Sequence, residues 1–290
     1  MIAPPSLRIG FGVSGPLGQF WFREAELRAV IRQALDGGVT HFDTAPFYFD
    51  AEKRLGAALA GAAVFISTKT GTRRHGRRLV KDFSATAIRE DVAESRRRLG
   101  RPSLDLLYLH GPTIAEIEAA RPVLDALKRE GRICAIGVCG EGEPLAHAVG
   151  TGFDAIMGAY NVLDRRHEEI FAEAKRQGVL TVAVAPLAQG LFDPRFNRPR
   201  TLSDLWRLAR ARVRGRYPPA AIAAARRALG DADPAAAALG FVLSNRDIDI
   251  VMTTTTKPGH LAATLAAAPL SGERCKALNR LSLDPELRRS

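Results

Sequence analysis

Short apolar runs rich in β-branched residues alternate along the chain with stretches whose apolar positions recur every three or four residues, and that alternation predicts a parallel sheet covered by helices. The predicted strands are residues 8–13, 39–43, 64–69, 104–110, 133–138, 153–157, 180–185 and 248–253. Eight strands is the number that closes a barrel, so the expected fold is α/β, a (β/α)8 TIM barrel. Two helices show the period plainly: 24–35 turns Leu27, Val30, Ile31 and Leu35 inward, and 84–99 does the same with Ile88, Val92 and Leu99. The pair Gly37-Gly38, Gly131 and Gly178 stand just past a helix and just before a strand, where a left-handed residue is expected.

No linker rich in Pro, Gly or Ser divides the chain, which is expected to form one domain over residues 1–290. The regular spacing breaks at 189–233, too long for a simple connection. Within it, 217–229 reads as a helix opened by Pro218 and Pro219, and 191–215 as either a flap over the site or a solvated excursion.

The 290 residues are 46% hydrophobic and 25% charged, with no apolar run near the ~18 residues of a membrane span. A soluble protein is expected, with no membrane partner. The opening residues hold two prolines and no signal-like apolar segment, so the cytoplasm is the expected location. Three cysteines, Cys134, Cys139 and Cys275, suggest neither a disulfide framework nor a metal site. The net charge of +11 comes from 42 basic against 31 acidic residues and raises the question of anionic partners. Arginines cluster at 73, 74, 77 and 78, and again at 195, 198, 200, 207, 210, 212, 214 and 216. Neither run is interleaved with stacking aromatics, so no nucleic-acid partner is expected. The runs read as solvated surface, or as loops that draw an anionic substrate or cofactor phosphate toward the site.

Barrel active sites lie at the C-terminal ends of the strands. There the second strand ends in Asp43, followed by Tyr48; the third ends in Lys69 and the fourth in His110. Taken singly, Asp43 reads sooner as a helix cap, Lys69 as a surface charge, Tyr48 as a loop aromatic and His110 as a core histidine. Together at one mouth they suit carbonyl reduction. That reaction needs a proton donor at the oxygen while hydride reaches the carbon, and a phenol of pKa ~10 is too weak an acid unless its anion is stabilised. Tyr48 is therefore the expected general acid, and the base in oxidation. Lys69 lowers its pKa, Asp43 holds Lys69 charged, and His110 donates to the carbonyl oxygen.

These residues resemble the catalytic tetrad of the aldo-keto reductase superfamily, and the resemblance covers nearly the whole chain. It is carried by Asp43-Thr44-Ala45-x-x-Tyr48, Ser67-Thr68-Lys69, the run 105–112 ending in Leu109-His110-Gly111-Pro112, the run 131–138, Pro186-Leu187-Ala188-Gln189-Gly190-Leu191 and the late 241–245. The opening run 9–18 and Gly140 are similar to the subgroup of L-galactose and aldose 1-dehydrogenases. The resemblance implies a nicotinamide cofactor, NADP or NAD, gripped by Asp43, Cys139, Gly140, Met157, Pro186, Leu187, Gln189, Gly190, Thr254, Thr255, Thr256, Lys257 and His260. Lys257 tips the expectation slightly toward NADP, since a 2′-phosphate asks for a fixed cation. Three departures stand out. Many members hold the carboxamide with a Ser-Asn pair and a Gln and stack an aromatic on the ring; here the matching positions are Cys139-Gly140, Met157 and Val184. With only seven residues ahead of the first strand, the family's hairpin plug of the barrel floor is expected to be reduced or absent.

The implied activity is hydride transfer between nicotinamide and an aldehyde, ketone or sugar lactol. The apolar departures keep open a redox-neutral lyase, dehydratase or isomerase using the same acid-base set, and a non-enzymatic binding barrel is the third reading. Phe20, Trp21, Phe47, Phe49, Phe192 and Trp206 are candidates for an apolar pocket or for rim packing.

Overall fold

The computed structural model describes residues 2, 5–75, 78–192, 200–202, 204–205, 208–209, 217–230, 233–270 and 272–281. Trp206, most of the second arginine run, Arg77 and the side chain of Gln189 lie outside the described residues.

Ten strands run in chain order among the described residues: β1 (Ile9–Gly12), β2 (His41–Asp43), β3 (Phe65–Thr70), β4 (Thr72–His75), β5 (Arg78–Lys81), β6 (Leu104–His110), β7 (Ile133–Cys139), β8 (Ala155–Ala159), β9 (Leu180–Val184) and β10 (Ile250–Thr253). All but β4 and β5 close into a barrel, β1-β2-β3-β6-β7-β8-β9-β10, with β10 pairing back onto β1 and every pair parallel. The expected (β/α)8 architecture is thus the observed one, each strand within a residue or two of its predicted bounds. No strand precedes β1 among the described residues. At the floor, Ile2 packs part-buried against the barrel interior.

Side chains alternate across each strand, so the barrel has two cores. Leu106, Tyr108, Ala135, Ala155, Met157, Leu180, Val182, Ile250 and Met252 fill the inside. The intervening Leu107, Leu109, Ile136, Val138, Ile156 and Val251 face the helices. Local signals set the helix ends. Ser84 caps helix Ala85–Leu99 by accepting from the Ala87 amide, and Gly100 closes it in the left-handed conformation with Arg96, Arg97 and Arg98 in the last turn. A capping box between Thr113 and Glu116 starts helix Ile114–Arg129.

The departure from simple alternation is the antiparallel hairpin β4–β5, inserted between β3 and helix Ala85–Leu99. Its arginine run reads as solvated surface or as a loop that draws anions to the site; the described residues form a largely exposed two-stranded ribbon at the rim of the barrel mouth, in keeping with a solvated surface. Among the described residues, no helix is long and apolar enough to cross a membrane.

Candidate active site

The period-two alternation that builds the interior also delivers the site. In β3, Phe65, Ser67 and Lys69 share the inward face. In β6, Leu106, Tyr108 and His110 do, and parallel pairing sets Lys69 beside Tyr108 and Asp43 beside Ser67. One layer up, His110 pairs with Cys139 and Cys139 with Met157. Lys69, His110, Cys139, Met157 and Val184 therefore face the barrel interior in successive layers toward the C-terminal mouth, with Asp43 held against Lys69.

Lys69 is 1% exposed. Its ammonium donates to Asp43 Oδ2 at 2.5 Å and to the Thr44 carbonyl at 2.8 Å. Asp43 Oδ1 accepts from Ser67 Oγ at 2.7 Å, so the carboxylate is held on both oxygens. Burial pulls the Lys69 pKa down, and the Asp43 charge with its hydrogen bond more than reverses this, leaving it above the ordinary lysine value. Ser67 stands two residues before Lys69 on the same strand face, and that spacing is the sequence signal for the second anchor of Asp43.

Tyr48 enters from the short 3-10 turn Pro46–Tyr48 that follows β2. The Lys69 ammonium lies 5.6 Å from the centre of its ring. The His110 ring centre is 6.4 Å away at 70°, and Phe47 makes edge contacts with both, at 5.7 Å to Tyr48 and 6.2 Å to His110. The structure thus brings Asp43, Tyr48, Lys69 and His110 together. Gly18 makes the approach possible: a Cβ there would overlap the Tyr48 carbonyl oxygen, and the Gly18 carbonyl accepts from the Asp50 amide at 3.2 Å. The opening glycines were read only as a family likeness. Here they are clearance for Tyr48, and at Gly10 and Gly12 for Met252 and Thr254.

The remaining wall is apolar. Met157 is 1% exposed and packs with Tyr108 and Met252 in the interior core, against which Cys139 and Val184 also lie. Burial pushes the Cys139 thiol up to about 11 despite the Lys69 charge, so it stays protonated near neutrality. A Cβ at Gly140 would meet Gly111 Cα at 3.9 Å and Val138 Cγ1 at 4.0 Å, ordinary van der Waals contact, so no clash demands glycine there. The loop is fixed from behind: His167 Nε2 accepts from the Gly142 amide at 3.0 Å, and its Nδ1 lies 3.0 Å from the Ala159 carbonyl, which fixes the proton on Nδ1. After β9, Ala185 and Ala188 adopt positive φ of 56° and 44°, the Ala185 carbonyl accepts from Asn161 Nδ2, and the stretch Pro186, Leu187, Gly190 forms a tight turn.

At the far side, three of the expected phosphate ligands are engaged within the chain. Thr254 Oγ1 donates to the Gly12 carbonyl at 2.9 Å, and Thr255 Oγ1 accepts from the Lys257 amide at 3.1 Å. Lys257 caps helix Pro258–Leu265, which carries His260, and its ammonium pairs with Asp204 at 3.0 Å. Asp204 was absent from the sequence reading, since nothing local links residues 204 and 257. Toward a nicotinamide dinucleotide this lining offers the apolar Met157 and Val184 for a ring and the Asp204-paired Lys257 amine for a phosphate, and Cys139, Gly140 and Met157 present no strong side-chain donor to a carboxamide.

Comparison with known proteins sets this barrel among NAD(P)-dependent oxidoreductases, an enzyme class. Residues 8–282 match the model of the Aldo/keto reductase family, and the chain belongs to that family. It is 33% identical to L-galactose dehydrogenase of Arabidopsis thaliana over 205 residues, 63% of this chain and 62% of that protein's length. To D-threo-aldose 1-dehydrogenase of Pseudomonas sp it is 30% identical over 246 residues, 71% of this chain and 74% of that one. The solved structure of glycerol dehydrogenase from Gluconobacter oxydans superposes with a TM-score of 0.81 at 26% identity, covering 97% of this chain and 92% of its own.

Proposed function

We propose that this enzyme transfers hydride between a bound nicotinamide dinucleotide and the carbonyl or hydroxyl carbon of an aldehyde, ketone or sugar lactol. The dinucleotide supplies the hydride; the chain supplies the proton and the geometry. Tyr48 gives a proton to the carbonyl oxygen in reduction and takes it back in oxidation. The buried Lys69 ammonium stabilises the phenolate, Asp43 keeps that ammonium charged and aimed, and His110 orients the oxygen. The observation that carries this reading is the Lys69 ammonium, fully buried and ion-paired, 5.6 Å from the Tyr48 ring centre. In water a lysine and a tyrosine at that spacing would barely interact; in a dry barrel mouth the charge is felt strongly.

Two sugar dehydrogenases among the relatives support a sugar lactol as one substrate. Cys139, Gly140, Met157, Pro186, Leu187, Gln189 and Gly190 are the proposed wall around the nicotinamide, with Thr254, Thr255, Thr256, Lys257 and His260 beside the adenosine phosphates. Lys257 favours NADP(H), and the Asp204 carboxylate on the same amine weakens that preference, so either dinucleotide is expected to serve. The test is titration with NADPH and with NADH followed by turnover of simple aldehydes and aldoses. Binding weaker than millimolar for both nucleotides would end the hydride-transfer reading.

The apolar wall at Cys139, Met157 and Val184 favours one other reading, a redox-neutral elimination or isomerisation with Tyr48 as the base. Its mark is activity that survives complete removal of nucleotide.

A further inference from the structure

In an antiparallel ribbon, consecutive side chains point to opposite faces and directly paired residues share one. The hairpin β4–β5 pairs Thr72 with Lys81, Arg73 with Val80 and Arg74 with Leu79. Thr72, Arg74, Leu79 and Lys81 therefore share one face, and Arg73 and Val80 take the other. Contacts agree. Arg73 turns back toward helix Ala85–Leu99, where it meets Asp91 at 3.3 Å and Glu90 at 3.6 Å. The opposite face lies on the active-site rim: Thr72 Oγ1 donates to the His110 carbonyl at 2.7 Å and Lys81 Nζ to the Gly111 carbonyl at 2.6 Å.

Arg74 is the residue this geometry leaves over. Its guanidinium lies over the rings of Phe47 and Phe49, 4.6 Å from each centre. Those two residues flank Tyr48, and the Phe47 ring also touches the His110 ring. Phe49 holds a positive φ of 58°, a costly conformation for a bulky side chain, and that conformation keeps its ring beneath the guanidinium. Among the described residues, no carboxylate comes within 4 Å of Arg74, and residues 72–81 contain no acidic side chain at all. A guanidinium lying over aromatic rings keeps its N–H edges for a planar anion. Arg74 and Lys81 thus form an unneutralised cationic edge adjoining the phenol and the imidazole.

We infer that this edge selects substrates whose carbonyl or hydroxyl carbon carries an anionic group, carboxylate or phosphate, a few bonds away, with Arg74 as the specificity-determining residue. The inference rests on the hydride-transfer reading for its chemistry, though not for its binding. The exposed Leu79 between the two cations, 55% accessible, adds an apolar contact for the intervening carbons.

Matched pairs test it: 4-oxobutanoate against butanal, and glyceraldehyde 3-phosphate against glyceraldehyde, each with NADPH and NADH. The wild-type enzyme should prefer the charged member of one pair by about tenfold or more in kcat/KM, carried by KM and eroded by salt. Which pair shows it separates a carboxylate from a phosphate. Arg74→Met should lower that preference about tenfold, Arg74→Lys by less, and Arg73→Met, on the other face, should leave the preference standing. Calorimetric titration with succinate and with inorganic phosphate gives a readout without turnover. If neutral aldehydes are reduced with no charge preference, or if Arg74→Met keeps the preference, the inference falls and the hydride-transfer reading stands. If no aldehyde is reduced but an anion binds wild type and not Arg74→Met, the anion site stands and the hydride-transfer reading falls. Absence of both turnover and anion binding overturns both.

Discussion

The Lys69 ammonium and the Asp43 carboxylate meet at 2.5 Å in a place nearly closed to water, with 2% and 8% of their side-chain surfaces exposed. Each charge is tolerable there only because of the other. Removing Asp43 alone leaves an uncompensated buried cation, which costs about 3–5 kcal/mol. Asp43→Ala should therefore be much less stable than wild type in chemical denaturation, and the double change Asp43→Leu with Lys69→Met should recover most of the loss while remaining inactive. A single Asp43→Ala variant that unfolds at the wild-type denaturant concentration would show that the pair does not hold the buried charge.

Gly18 gives a second expectation, because its φ is ordinary and only space forbids a side chain. A methyl group at 18 overlaps the Tyr48 carbonyl and must push the 46–48 turn. Gly18→Ala should cost about 1–3 kcal/mol of stability. Displacing Tyr48, the proposed general acid, should also lower kcat by tenfold or more, on the order of what a 1 Å misplacement costs. Turnover measured well below the variant's melting temperature checks this; a kcat equal to wild type would mean that the turn does not hold Tyr48.

Much of this was legible along the chain, for physical reasons that differ by residue. The eight barrel strands show as apolar runs because they are buried on both faces, and Asp43, Lys69 and His110 stand out because they interrupt those runs at the ends. Tyr48 was legible only through its spacing from Asp43. The hairpin β4–β5 was not, since Thr72-Arg73-Arg74-His75 carries no apolar alternation and its stability comes from rings and carbonyls on other loops. Asp204 was silent for a similar reason: its partner Lys257 is distant in sequence, and ion pairs between loops leave no local pattern. Gly18 is legible only as part of a family likeness, and its physical role is not, because the atom it makes room for belongs to another turn.

At the barrel floor, His41 stacks on Phe65 at 4.7 Å, and burial lowers its pKa to about 4. The unfolded chain takes up a proton near the ordinary histidine value of ~6.5, well before the folded one does. Stability from this group is therefore complete above that value, drains as pH falls toward 4, and levels off below. The loss is bounded at slightly above about 3 kcal/mol, and solvent screening keeps it below that bound. Aspartates and glutamates titrate nearby, so the comparison that isolates His41 is the stability difference between wild type and His41→Gln at pH 7 and at pH 4.5. That difference should shift toward the variant at the lower pH; an unchanged difference would contradict a buried neutral imidazole.

The pairing of Lys257 with Asp204 bears on cofactor choice. Burial alone would raise the Asp204 carboxyl, and hydrogen bonds from Lys257, Thr201 and the Arg200 amide, with the Lys257 charge, outweigh it and lower the pKa. The carboxylate is thus charged throughout the neutral range and occupies the cation proposed above for a 2′-phosphate. A 2′-phosphate arriving there meets a neutralised lysine and a nearby like charge. Asp204→Asn removes both obstacles at once, so the affinity ratio of NADPH to NADH should rise. Because the Lys257 side chain remains 40% exposed, solvent screening holds the gain to about three- to tenfold. Lys257→Met should instead lower the ratio in the wild-type background and abolish the effect of Asp204→Asn in the double variant. That double-variant cycle, read by nucleotide titration at low and high salt, separates charge from shape: a ratio that rises in Asp204→Asn even without Lys257 would mean that the carboxylate acts by occupying space.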